Sequence, residues 1–195
     1  FKNEKIGFSD IRLIITCAFF GMGLNMITSL NGLYNSTPIN SAIITTLAPI
    51  FIFIISVVLL KEKITKIKYL GVFIGFIGTL TLILLNEKSI ANAPNINLGN
   101  FYFFINSLSY AVYFILVKPL TKKYSMITIM KWLFLFSIII NMPFGLLEFT
   151  EINWDVISKN SLIKISYVVF CTTFLVYFLN LYALKNLKAS TVGMF

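Results

Sequence analysis

Residues 41–85 read SAIITTLAPIFIFIISVVLLKEKITKIKYLGVFIGFIGTLTLILL. No charge occurs from Ser41 to Leu60, four lysines and Glu62 follow between Lys61 and Lys68, and the charge disappears again from Tyr69 to Leu85. An uncharged run of ~20 residues, wound as a helix, matches the hydrocarbon thickness of a bilayer. Lipid offers backbone groups no partners, so only helices or closed barrels cross it. Barrel strands would be ~10 residues long and alternate in polarity, which this stretch does not. It reads as two transmembrane helices joined by a short basic turn.

The pattern continues on both sides. Apolar segments at 12–34, 40–60, 67–86, 98–117, 126–147 and 162–184 are predicted spans, and a seventh begins near Ala189. The longest connectors, Asn86–Asn97 and Glu148–Ser161, carry the Asn, Pro, Ser and acidic residues of solvated loops. The 195 residues are 58% hydrophobic and 12% charged, against about 25% charged for a soluble domain. The expected fold class is an all-α integral membrane protein, a polytopic helix bundle. Phe1 opens the chain without an initiator Met, and the closing ASTVGMF resembles the start of another span. The sequence is therefore expected to be an excerpt truncated at both ends.

The net charge of +9 is set by topology. If the segments cross alternately, thirteen Lys and Arg fall on one side, and only Lys88, Lys159 and Lys164 on the other. The positive-inside rule places the richer side in the cytoplasm, with the first helix running outward, in a multi-pass protein of the plasma or inner membrane. Lysines in short clusters between apolar runs are not a phosphate-tracking face, so no nucleic-acid partner is expected. Cys17 and Cys171 lie inside apolar runs, as small core residues rather than a disulfide framework.

The quoted stretch resembles the EamA branch of the drug/metabolite transporter superfamily. The matching positions are Pro49 in mid-helix, Leu60 and Glu62 around the basic turn, then Leu70, Gly71 and Gly78. Lys61 stands where the family usually has Gly. NLGNFYFFINSLSYAVYFILVKPL, from Asn97 to Leu120, is similar to the family's sixth helix. The resemblance implies a ten-helix fold of two inverted five-helix repeats, of which this chain would cover helices three to eight and the start of nine. Residues 1–86 would hold the last three helices of the first repeat, 87–97 an external loop, and 98–195 the opening of the second repeat. Laying Leu24–Ile44 on Leu175–Phe195 pairs Leu24, Leu30, Leu33 and Asn35 with Leu175, Leu181, Leu184 and Asn186.

Helical spacing identifies faces that could line a path. Gly21, Asn25, Thr28, Ser29 and Gly32 share a stripe, as do Ser41, Thr45, Pro49 and Ser56. Tyr102, Asn106, Ser109, Tyr110 and Tyr113 share a third, and Thr173, Tyr177 and Asn180 a fourth. Small and polar residues also pack helices together in lipid, but buried Asn amides need partners that a cavity supplies. The expected pathway lining is Asn25, Thr28, Asn106, Tyr110, Tyr113, Tyr177 and Asn180, with Thr45 and Pro49 shaping the wall. Gly71, Gly75 and Gly78 are expected to pack closely against a helix, Pro49 to kink its own, and Trp132 and Trp154 to anchor at the interface. Lys61, Glu62 and Lys63 suit helix capping and topology better than ligand contact.

The chain has no His, and its seven acidic residues all lie in or beside loops. That leaves no membrane carboxylate for a proton relay and no candidate catalytic group, metal or cofactor. The reading is not an enzyme but a carrier of a small organic solute, neutral or zwitterionic, an amino acid being one example. Its partners would be the solute and the bilayer, with a homodimer left open. A non-transporting membrane scaffold is the alternative.

Overall fold

The computed structural model describes residues 4–62, 65–85, 93–152 and 157–194. Among these, every regular element is a helix, and five helices are long and apolar enough to cross a membrane. We number α1 Phe8–Asn35, α2 Pro38–Leu60, α3 Lys66–Leu85, α4 Ile96–Lys123, α5 Met126–Glu151, α6 Lys159–Asn186 and α7 Ala189–Val192. The expected span at 67–86 is α3, whose apolar part runs Tyr69–Thr81. Trp154 lies outside the described residues, and Trp132 is half-buried and stacked on Phe136, ring centroids 5.7 Å apart.

The breaks follow local chemistry. Thr37 is extended because it precedes Pro38, and its hydroxyl oxygen accepts from the Asn40 N–H to cap α2. Pro49 removes an N–H and crowds the carbonyl four residues before it. The bend accordingly falls at Thr46, whose ψ is −11° and whose N–H turns back to the Ile43 carbonyl. α2 ends at Lys61 in the left-handed region, φ 50° and ψ 37°. It is the one non-glycine with positive φ among the described residues.

α4 is the central post. Phe103, Ala111, Tyr113, Phe114, Ile115, Val117 and Leu120 along it are buried. Glycines let α1 lie against it, since a Cβ on Gly21 would sit 2.5 Å from the Tyr113 ring and one on Gly32 2.7 Å from the Phe103 ring. α6 is the opposite case, with no fully buried residue in its apolar window. The Gly71, Gly75 and Gly78 strip of α3 departs from expectation: a Cβ at any of the three meets nothing within 4 Å. Small residues permit close approach, but here Gly71 and Gly75 line a gap that faces α2 across Thr46 and Pro49 rather than a packed contact.

Two helices widen into π turns, Phe19–Leu24 in α1 and Val168–Leu175 in α6. Each π turn is followed by an eleven-residue α segment, Asn25–Asn35 or Val176–Asn186, then a break and a new helix at Pro38 or Ala189. From 24 to 175, 35 to 186 and 38 to 189 the step is the same 151 residues.

Each end of the bundle is tied. At the lysine-rich end Lys123 pairs with Asp10 at 2.9 Å, and the Ser125 N–H donates to Glu4 at 2.9 Å. At the other end the Asn95 N–H donates to the Asn35 carbonyl, and Ser36 and Asn40 both donate to Asn100 Oδ1, at 2.9 and 3.1 Å.

Candidate functional site

A π turn moves its backbone bonds to the i→i+5 pattern, which takes its carbonyls out of the ordinary helical register. In α1 two of them point into the bundle and are taken by side chains from other helices. Ser109 Oγ on α4 donates to the Phe20 carbonyl at 2.5 Å. The Tyr177 hydroxyl on α6 donates to the Gly21 carbonyl. One turn further along, Asn25 Nδ2 donates to the Asn106 carbonyl at 3.2 Å, and Asn106 Nδ2 returns a bond to the Asn25 carbonyl at 2.7 Å. The polar stripes of α1 and α4 thus read each other's backbone.

An aromatic layer continues from these bonds. The Tyr113 ring lies over Gly21, with the Tyr110 ring centroid at 5.9 Å and that of Tyr177 at 5.6 Å. Asn180 Nδ2 donates to the Tyr110 hydroxyl at 2.8 Å, and Phe134 on α5 closes the far side at 6.3 Å from Tyr177. The Tyr113 hydroxyl is buried and has no hydrogen-bond partner among the described residues. Leaving such a group unpaired costs about 1–3 kcal/mol.

Six of the nine residues anticipated as lining therefore lie in one connected layer: Asn25, Asn106, Tyr110, Tyr113, Tyr177 and Asn180. Thr28 is buried beside it, but its hydroxyl is used by the carbonyls of Leu24 and Asn25 on its own helix, at 2.7 and 3.2 Å. Thr45 likewise bonds back to Ser41 at 2.8 Å. Pro49 sits apart, in a cavity of about 190 Å³ between α2 and α3 with Thr46, Val72 and Thr79. Sequence reading put Ser109 on the right stripe without a role, because nothing in the sequence announces a π turn.

Glu62 is the second feature that local reading left incomplete. The described structure holds no group of three or more His, Cys, Asp or Glu that could bind a metal. Glu62 instead caps a helix more than a hundred residues away. Oε1 accepts from the Ala189 N–H at 3.0 Å; Oε2 accepts from the Ser190 N–H at 3.4 Å and from Ser190 Oγ at 2.5 Å. Lys118 Nζ lies 3.8 Å from Oε1 and donates to the Leu187 carbonyl at 2.6 Å. Thr37 caps α2 with its own side chain, but Lys188, 151 residues on, has no acceptor to offer. Glu62 supplies what α7 lacks.

The sequence profile of the EamA-like transporter family matches residues 1–84 and 97–195. The chain belongs to the EamA-like transporter family. Among curated relatives of this EamA protein, an uncharacterized transporter of Bacillus subtilis (strain 168), YetK, is 25% identical over 186 residues, 95% of this chain and 56% of its own length. An uncharacterized transporter of Archaeoglobus fulgidus is 30% identical over 128 residues, 65% of this chain and 44% of its own. The chain spans about half the length of these relatives. No solved structure matches it. Family membership and the apolar helices together make it an integral, multi-pass membrane protein.

Proposed function

We propose that the complete protein carries a small neutral or zwitterionic organic solute by alternating access, and that the layer of Asn25, Asn106, Tyr110, Tyr113, Tyr177 and Asn180 is where the solute binds. The carrying observation is the Tyr113 hydroxyl, buried at the meeting of α1, α4 and α6 with no partner among the described residues. A solute hydroxyl, amine or carboxylate would satisfy it. The surrounding groups are amides and aromatic rings, with no formal charge among them. Such a set favours amphipathic or zwitterionic solutes over sugar phosphates, which need Arg or Lys clamps.

The 151-residue step between π turns, straight segments and helix starts supports two repeats in the chain. Repeats of inverted orientation that rock about a midplane site are a recurrent transporter design. In the structure the Glu62 cap and the Lys118 pair tie the lysine-rich end, which the positive-inside rule makes cytoplasmic. Parting that tie while the Asn100 cluster holds the other end would open the layer inward. The plasma or inner membrane suits this topology, and no catalytic step is needed.

The reciprocal bonds of Asn25 and Asn106 are ones that a non-transporting scaffold would also make. Tyr113 separates the two readings. In the full chain, Tyr113→Phe removes only the orphaned hydroxyl, so a scaffold gains or keeps stability. A transporter should lose about tenfold in solute affinity, about 1.4 kcal/mol, while folding normally. Alanine at Asn106 and Tyr110 should abolish transport in a screen over candidate solutes. Unchanged transport in all three variants would refute the assignment.

A further inference from the structure

At the lysine-rich end, α2, α4 and the start of α7 enclose an open cavity of about 510 Å³ whose walls include Glu62, Lys118, Lys122, Lys123 and Lys188, with Leu60 and Pro119 as apolar floor. Its charges are unevenly spent. Lys118 is engaged by Glu62 at 3.8 Å and by the Leu187 carbonyl, and Lys123 by Asp10 at 2.9 Å. Lys122 and Lys188 are exposed and make no ion pair among the described residues, and both are near enough to repel the charge on Lys118. With Asp10 and Glu62 each neutralising one lysine, the cavity retains about two positive charges facing one space. Ammonium groups held together against their mutual repulsion form a ready site for a compact phosphate anion.

We infer that this cavity binds a phosphate group, through Lys122 and Lys188 with Lys118 behind them. Its volume suits a phosphate monoester or a phospholipid headgroup rather than a macromolecule. The apolar floor and its place at the membrane boundary let either source reach it. The site is distinct from the aromatic layer and does not depend on which solute the protein carries. A bound phosphate would also compete with Glu62 for Lys118, so its occupancy bears on the tie that holds α7.

The experiment uses the full chain, purified in neutral detergent and in nanodiscs of phosphatidylcholine with or without phosphatidylglycerol. Thermal unfolding is followed with inorganic phosphate against chloride at matched ionic strength. Stabilisation by phosphate in detergent marks the soluble source, and stabilisation only by phosphatidylglycerol marks the lipid. The double variant Lys122→Gln/Lys188→Gln, at exposed positions, should weaken the effective affinity about 30-fold, at ~1 kcal/mol per lysine. Lys159→Gln/Lys164→Gln, at the opposite end, should leave it unchanged. The inference fails if neither phosphate nor phosphatidylglycerol stabilises beyond chloride and phosphatidylcholine. It fails equally if both double variants respond like the parent.

Discussion

Replacing Glu62 tests the tie at the lysine-rich end directly. The first N–H groups of a helix have no acceptor within it, so protection of the Ala189 and Ser190 amides comes from Glu62 and little else. The carboxylate accepts three bonds and faces Lys118 with only 8% of its side chain exposed. Glu62→Gln keeps one acceptor oxygen but loses the ion pair and the charge on the helix dipole, a cost of about 2 kcal/mol. Glu62→Ala removes the cap and strands Lys118, a cost of about 3–5 kcal/mol. Amide hydrogen exchange should therefore accelerate at 189 and 190 by about 30-fold in the Gln variant and by two orders of magnitude or more in the Ala variant. Amides in the middle of α4 should stay protected. If the tie closes the cytoplasmic end, the same variants shift solute binding toward the cytoplasmic face by comparable factors. Unchanged exchange at 189 and 190 in Glu62→Ala would refute the capping argument, and faster exchange without any change in sidedness would refute its role in transport.

Lys61 occupies a left-handed C-terminal position at φ 50°, where a side chain costs about 1 kcal/mol over glycine. Lys61→Gly should raise the unfolding midpoint by about 2–4 °C without altering transport. Gly21→Ala places a methyl 2.5 Å from the Tyr113 ring, and because a packed ring cannot swing aside, the variant should lose about 1–3 kcal/mol in thermal unfolding and much of its transport. The Ser125 N–H, as the largest cause, holds the Glu4 carboxyl below its ordinary value of 4.5. Glu4 therefore stabilises the fold above about pH 4.5, and that contribution fades as pH falls through its lower folded value. A Glu4→Gln variant should show less change in unfolding midpoint between neutral pH and pH ~3 than the parent.

Much of the bundle was legible because lipid leaves few alternatives. Runs such as Ser41–Leu60 state their own length, and Thr37–Pro38 states where a helix must restart. The polar stripes were also legible, since period 3.6 puts Asn106, Tyr110 and Tyr113 on one face before any packing is known. Thr28 and Thr45 carry the same signal, yet their hydroxyls bond their own helices. A Thr can satisfy itself four residues back, whereas Asn25, Asn106, Tyr177 and Asn180 each bond across to another helix. The close-packing signal of Gly71, Gly75 and Gly78 was read from a face that no described side chain contacts within 4 Å. A small-residue strip states what a surface permits and not what arrives there.

Glu62 shows why the remainder was hidden. Sequence logic assigned it to capping from its place after α2, and capping is its role, but the helix it caps begins at Ala189. The reason lies in the difference between two helix-start positions 151 residues apart, Thr37 and Lys188. Thr37 carries its own acceptor and closes α2 locally, while Lys188 carries a cation at a helix start, where it is disfavoured. A Thr at position 188 would need no distant partner and would leave α7 independent of α2. By placing Lys188 at that step, the sequence makes the start of α7 depend on a carboxylate from the turn that follows α2. The two ends of the bundle are consequently tied by different physics. The Asn35, Ser36 and Asn100 cluster consists of neutral amides and a hydroxyl, indifferent to salt. The Glu62 tie is charged, and at this end an anion or a change in ionic strength has leverage that it lacks at the other.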